Sequence, residues 1–533
     1  MIKFDGNIVQ FGFGAVGKSF YEKNSKEIKF NENNYFVITM DDFEFEAFVN
    51  LGGMVANFVI QKITKDNFKE VFGKYLKEGD LLIDFADTVG TKDILEWCAE
   101  NNIMYLNTGE ADWPENWYSI FNENLLKNEI RKKHKDLKET NKYPIVLQHG
   151  NNPGLVSHFV KAGIEYIVKK QYSKNKEFRK LLKENKFNIL SQKLGLKQIH
   201  VNDIDLQEVK WEEEQSLYST WCIDSFFFEM LSEATINFGT HEKIDLKEDE
   251  CKLLNFEKGF LELKQLAVDT KGRTYYPGGK FEGYLVPHEE IITIANGLEV
   301  VEDGKVVYRP SVMFLYSPCE AARKYIENAK VNDYLNPDPE KPQDCENENG
   351  KSIVRGYVYP EKAEIVYQEK IKSGTEYVGV LLIGDNFKPV WVGNRIEMPY
   401  LYKNKKDSYW QTPTITPVAM SALAATCWMI KNKDKGGIYF PDDITEYKDI
   451  IKMAEKYISK TIYKTFDKKE IEENLKIKRN DKIIPFIFLF VILVTAATTT
   501  AATASTAVTP ASATTAITTR TVYVRCSTYR TSK

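Results

Sequence analysis

Ile8-Val9-Gln10-Phe11-Gly12-Phe13-Gly14-Ala15-Val16-Gly17 is the stretch on which the fold turns. A short apolar run ends in three glycines spaced G-x-G-x-x-G, and Lys18-Ser19-Phe20-Tyr21 opens a helix. In a strand, turn and helix context each glycine has its own task. Gly12 permits the tight turn, Gly14 lets a pyrophosphate approach the backbone, and Gly17 lets the helix lie close to the strand. The free N–H groups at the helix start, at Ala15 and Val16, and the positive end of its dipole then face the phosphates. The stretch reads as a dinucleotide-binding turn.

Outward from it, residues 1–150 alternate strand-like runs with helical ones. The runs Asn7–Phe11, Tyr35–Thr39, Asn57–Gln61, Leu81–Ala86, Ile103–Asn107 and Ile145–Gln148 are expected strands. Thr91–Asn101 places Ile94, Leu95 and Cys98 at helical spacing. Strands separated by helices predict βαβ units and a parallel sheet, an α/β fold with an N-terminal Rossmann-type domain. Asp41 and Asp42 follow the second strand. A carboxylate there accepts from the adenosine ribose hydroxyl and repels a 2′-phosphate, which favours NAD over NADP. Either acid equally suits a turn cap, so the choice between them stays open.

His149-Gly150-Asn151-Asn152-Pro153-Gly154 breaks the pattern, and Leu155–Val168 then reads as an amphipathic helix. Residues 172–187 read as a Lys-rich solvated helix, residues 198–410 contain β-rich runs such as Tyr377–Ile383 and Val390–Val392, Asn332–Lys351 reads as a polar loop, and Thr416–Ile430 as an Ala-rich apolar helix. The expected division is 1–150, 151–415, a helical segment 416–480 packing back on the first domain, and a low-complexity, disordered tail 481–533. Ile483–Val494 is apolar except for Pro485 but falls short of the roughly 20 residues a membrane span needs.

Charge and cysteines narrow the function classes. A net charge of −4 over 533 residues provides no global field for nucleic acid. The seven cysteines contain no C-x-x-C pair, so neither a zinc site nor a disulfide framework is indicated. The start, Met-Ile-Lys-Phe-Asp-Gly, has no apolar signal region, and a cytoplasmic setting without membrane attachment is expected.

Seven motifs occur in one order. They are the glycine turn; Tyr105-Leu106-Asn107-Thr108 with Glu110 and Trp113-Pro114; His149-Gly150-x-Asn152-Pro153-Gly154-Leu155-Val156-Ser157; Ile199-His200-Val201 with Asp203, Asp205 and Gln207; Thr220-Trp221-x-x-Asp224 with Glu229; Gly239-Thr240-His241-Glu242; and Pro287-His288-Glu289. From about residue 5 to about 440 the chain resembles the bacterial-type homospermidine synthases, relatives of saccharopine dehydrogenase. The resemblance implies a Rossmann NAD-binding domain, a second α+β substrate and dimerisation domain, a homodimer, and no metal. It implies conversion of two putrescine molecules, with spermidine as a further substrate candidate, into homospermidine and ammonia, with NAD reduced and reoxidised in each turnover. Where the family carries Glu in the Ile-His stretch, this chain has Asp203, one methylene shorter.

On that resemblance, Thr108 and Asn152 join Gly12, Gly14, Ala15, Val16, Gly17 and Asp41 around the cofactor. Trp221, Glu229, Asp203 and Glu110 bind substrate, and His288, Glu229 and Asn152 are catalytic. The chemistry is consistent with those residue types. Putrescine is a flexible dication, suited by carboxylates and an aromatic face. Amine oxidation needs a base for the ammonium proton, and histidine's ordinary pKa of about 6.5 lies nearest that task. Asn152 before a helix start equally suits a cap. The acids Glu208, Glu212, Glu213 and Glu214 read as a solvated face. Two other readings stand beside this one. An amine or amino-acid dehydrogenase of the saccharopine type would need an Arg or Lys clamp for a substrate carboxylate, and residues 200–300 contain no arginine except Arg273, with none linked to a motif. A non-catalytic dinucleotide-binding regulator would bind NAD without turning over diamines.

Overall fold

The computed structural model describes residues 1–86, 89–113, 141–210, 216–242, 251–255, 259–331, 345–346, 352–398, 408–475 and 492–494. Pro114 and Glu212–Glu214 lie outside these, as does the tail except for Ile492–Val494.

The first sheet contains β1 (Ile8–Phe11), β2 (Tyr35–Thr39), β3 (Phe58–Ile60), β4 (Leu81–Asp84), β5 (Met104–Asn107) and β6 (Ile145–Val146). Their order is 3-2-1-4-5-6, and every pairing is parallel. These strands are short and nearly all apolar because helices cover both faces. The order reverses between β1 and β4, which opens a crevice at their carboxyl ends. Helix α1 (Ala15–Glu27) leaves the glycine turn there. A seventh strand, Ile438–Tyr439, arrives from far along the chain and pairs in parallel with β6.

A larger mixed sheet follows. Its members are β7 (Leu196–Asp205), β8 (Glu233–Asn237), β9 (Cys251–Asn255), β10 (Phe260–Leu266), β11 (Thr270–Tyr276), β12 (Gly279–Leu285), β13 (Ser311–Ser317), β14 (Thr375–Gly384), β15 (Val390–Glu397) and β16 (Ile462–Thr465). The main path runs β9-β10-β8-β13-β7-β14-β15-β16, with β12 pairing β13 and β11 pairing β12. β7 runs parallel to β13 and antiparallel to β14.

Helix α2 (Leu155–Gln171) packs on β14 and β15. Helix α3 (Ile415–Lys431) is buried almost all round, as its Ala-rich apolar sequence requires, and lies against α1. Polar bonds fix these layers. The Lys161 ammonium, on α2, donates to the carbonyls of Pro441, Asp442 and Ile444 at 3.3, 2.8 and 2.6 Å. Lys18, the residue after the glycine turn, is fully buried. Its Nζ lies 2.7 Å from Glu44 and 5.2–5.8 Å from the ring centroids of Trp410, Tyr409 and Tyr367.

Three expected elements differ. The Lys-rich helix is only Lys176–Lys183, because Asn175 caps its start, accepting from Phe178 N–H at 3.1 Å, and a second helix begins at Phe187. Within Asn332–Lys351, Cys345–Glu346 is not loop but pairs with Ser352–Ile353. Ile492–Val494, inside the tail expected to be disordered, pairs with Thr270–Gly272 of β11, and its β-branched and apolar residues suit a strand. Among the described residues, no helix is long and apolar enough to cross a membrane.

Candidate functional site

The glycine turn separates into three environments. Gly12 has φ +90°, a conformation that side-chain-bearing residues rarely adopt. A Cβ on Gly17 would sit 2.5 Å from the Gly12 carbonyl oxygen, so the helix rests directly on the turn. A Cβ on Gly14 would meet nothing within 4 Å, and no side chain caps the helix that starts behind it. Room beside Gly14 and uncapped N–H groups form a cradle that fits the pyrophosphate of a dinucleotide. Asp41 is partly buried at the end of β2, and its Oδ1 accepts from the Phe43 N–H at 3.2 Å, while Asp42 is exposed.

The carboxyl ends of β5 and β6 carry the next residues. Thr108 and Glu110 follow β5, and His149 and Asn152 follow β6. His149 turns inward, 2.9 Å from His158 and 3.1 Å from Ser421, and burial pushes its pKa down to about 4. Asn152 does not cap α2, whose N-cap is Gly154. Its amide instead donates to Asp203 at 2.8 Å. Gln148 donates to Glu110, and the Glu110 N–H donates to Glu289 at 3.1 Å. The Asn152–Asp203 and Glu110–Glu289 bonds thus tie the segments that follow β5 and β6 to the second sheet and the His288 loop.

Register builds the facing wall. Asp203 and Asp205 are two apart on β7 and share a face. Asp203 pairs with Tyr316 of β13, and Asp205 pairs with Glu376 of β14. Phe314, two residues before Tyr316, carries the His288 ring stacked at 4.2 Å. Trp221 donates its indole N–H to the Tyr316 hydroxyl at 3.0 Å. Trp221 precedes the helix Ile223–Met230, and Glu229 lies in that helix's last turn. The Trp221–Tyr316 bond and the charge coupling of Glu229 to Tyr316 bring the two residues to the same side chain.

The electrostatics follow from this crowding. Burial raises the carboxyls of Asp203, Asp205 and Glu376, and their mutual repulsion adds to it for Asp203 and Glu376. Burial pushes Glu229 up to about 8, against the nearby His288 charge. Burial opposes the His288 charge, but Glu290, bonded to Nδ1, with Glu229 and Glu289 raises it to about 10. The reason for naming His288 as base, its ordinary pKa, is thus corrected: the acids around it hold it as an imidazolium. Glu229 has its proton in the working range, and so does Asp203, pushed up to about 7.

Asp205, Glu376 and Tyr316 are pocket residues to which the sequence reading gave no role. Asp205 stood beside Asp203 at strand spacing, a usable signal; Glu376 and Tyr316 had none, since only pairing across strands places them. His288, Glu289 and Glu290 each bring one polar atom within 4.8 Å of the others, but with His288 as an imidazolium the cluster is an ion pair rather than a metal-ligand set. Glu208 is exposed and accepts from Ser373, in keeping with a solvated face.

Comparison with known proteins extends this picture. A family model described as the saccharopine dehydrogenase NADP binding domain matches residues 8–146. Homospermidine synthase from Mesorhizobium japonicum is 25% identical over 465 residues, spanning 85% of this chain and 89% of that protein. The enzyme of the same name from Blastochloris viridis is 25% identical over 463 residues, spanning 83% and 87%. The crystal structure of a homospermidine synthase from Legionella pneumophila in complex with NAD aligns with a TM-score of 0.71 at 25% identity, covering 87% of this chain and 92% of that one. Over more than four fifths of its length the chain is thus similar to homospermidine synthases, and over residues 8–146 to the nucleotide-binding domain of saccharopine dehydrogenase.

Proposed function

We propose that this chain is an NAD-dependent homospermidine synthase, which transfers an aminobutyl group from one putrescine to a second with release of ammonia. The observation that carries the reading is the wall of buried acids beside Trp221, joined to the carboxyl ends of the nucleotide sheet through Asn152–Asp203 and Glu110–Glu289. Buried carboxyls with no Lys or Arg paired to them among the described residues suit a dication rather than a substrate carboxylate, which disfavours the amino-acid dehydrogenase reading.

Bound NAD supplies a hydride acceptor and, within the same turnover, a hydride donor. In this proposal Gly12, Gly14, Ala15, Val16 and Gly17 cradle its pyrophosphate, Asp41 faces the ribose, and Thr108 and Asn152 border the nicotinamide end. Glu229 takes the proton of the substrate ammonium, a role supported by its pKa near neutrality. Asp203 and Glu110 hold the ammonium ends, and Trp221 covers the cation, worth about 0.5–2 kcal/mol. His288, held as imidazolium, gives the proton that departing ammonia requires. The buried wall keeps water from the imine, whose hydrolysis would release an aminoaldehyde. The reading takes residues 1–150 as the nucleotide domain, 151–415 as the substrate and dimerisation domain and 416–480 as a segment that returns to the first, in a homodimer, with spermidine as a second substrate.

The test is incubation with putrescine and a catalytic amount of NAD. Homospermidine should accumulate by mass spectrometry without steady growth of NADH absorbance. NADH rising in proportion to amine consumed would establish a dehydrogenase instead.

A further inference from the structure

Asp205 and Glu376 share the acidic face of the second sheet with Asp203, yet their bonding differs. The Asp205 carboxylate is fully engaged: Oδ1 accepts from the backbone and side chain of Gln207, both at 2.9 Å, and Oδ2 from Thr220 at 2.7 Å. Asp203 accepts from Asn152 at Oδ2, and its Oδ1 is buried with no N–H or O–H donor among the described residues. Glu376 is bonded by Thr414, itself held by Gln207 at 2.9 Å, and Oε2 of Glu376 is buried and likewise lacks a donor. Asp203 and Glu376 act on each other's carboxyls across this face, Glu376 standing level with Asp205, two residues from Asp203, in the strand register. Two carboxylates have no hydrogen to exchange, so a bond between them requires one proton.

We propose that Glu376 is a positioning residue that shares one proton with Asp203, and that an ammonium arriving at Asp203 expels this proton. The inference rests on the reading of Asp203 as an amine site. The step balances simply. One O–H bond of the pair breaks, the proton leaves to solvent, and the ammonium keeps its own protons while gaining charge-assisted hydrogen bonds. The surroundings set the balance. Asp205 and Cys319 face Glu376; Asp205, Glu229, Tyr316 and His288 face Asp203. Repulsion from Asp205 and Glu229 favours keeping the proton, and the His288 charge with the incoming ammonium favours losing it. The pair thus avoids a buried double negative charge before substrate arrives.

The experiment uses NAD-loaded enzyme and putrescine at pH 7. Calorimetry in buffers of different ionisation enthalpy counts protons released on binding, and infrared difference spectra report a protonated carboxyl. Wild type should release about one proton more than Glu376→Gln, whose amide keeps the shape and a donor to Asp203. The part of the carboxylic C=O band that wild type shows in excess of Glu376→Gln should disappear on adding putrescine. Equal proton counts in the two proteins, or no such band difference, would overturn the proposal. If Glu376→Gln does not fold, the band change is read in Glu229→Gln, which lacks the other protonated carboxyl. If putrescine does not bind wild type, the proposed function falls. In that case a carboxyl band present in wild type and missing in Glu376→Gln still upholds the shared proton, and a band equal in both overturns it.

Discussion

The two walls of the crevice are built in opposite ways. The glycine turn is local, uncharged and made of backbone, and ten consecutive residues carry it. The acidic wall is non-local: Asp203, Glu229, Tyr316 and Glu376 come from four separate elements and His288 from a loop. Backbone geometry limits the first wall, so single atoms of added side chain decide its behaviour. Charge limits the second, so protonation decides it. Mutations should therefore fail differently on the two sides.

The largest contrast is expected inside the turn itself. Gly17→Val must push a Cβ into the Gly12 carbonyl and should destabilise the fold by roughly 1–3 kcal/mol or more, read as a lower denaturation midpoint. Gly14→Val meets no protein atom and should fold with an unchanged midpoint while losing NAD affinity, read by calorimetry. If Gly14→Val binds NAD normally, the cradle assignment is wrong.

On the acidic wall, Glu229→Gln keeps shape and removes the base, and its turnover should fall by about 10²–10⁴-fold with NAD binding intact. The pH dependence has a definite sign. The folded-state pKa of Glu229 is raised from 4.5 to about 8, so its contribution to stability is present below pH 4.5 and is lost as pH rises through 8. Thermal midpoints measured from pH 5 to 9 should consequently fall more steeply for wild type than for Glu229→Gln. Parallel curves would show that Glu229 ionises freely.

Trp221 comes next. Trp221→Ala should lose about 0.5–2 kcal/mol in kcat/KM for putrescine beyond any packing effect, and Trp221→Phe should lose less. Equal activity of the two would remove the cation-covering role, and loss of NAD binding in either would mark a structural one. The smallest effect is expected at Asp41. Asp41→Asn keeps an acceptor for the Phe43 N–H, so stability should hold while discrimination against NADP relaxes several-fold, about 1 kcal/mol, in competition binding. Unchanged discrimination would shift the ribose contact to Asp42.

The same division explains what could be read in advance. Strands at Leu81–Asp84 and Met104–Asn107 and the helix Thr91–Glu100 announce themselves because their burial pattern is written in consecutive residues. Trp221, Asp203 and Glu229 were reached through motifs, while Glu376 opens an apolar strand with nothing nearby to single it out. Lys18 looked like an ordinary first-turn lysine, yet it lies buried among Glu44, Tyr367, Tyr409 and Trp410, which no local spacing connects. Asn152, which equally suited a cap, instead donates to Asp203 from a distant strand, whereas the carboxylate bonded to His288 is that of Glu290, two residues on, and its effect emerges only once the pocket is buried.

The sequence by itself determined the nucleotide half of the crevice, because a turn, a helix start and a strand depend on residues that are neighbours in the chain. Tertiary structure alone decided the charge state of the other half. Strand register sets which carboxyls share a face, burial removes the water that would screen them, and only then do Asp203, Glu229, His288 and Glu376 acquire the proton affinities that distinguish this pocket from a solvated acidic surface.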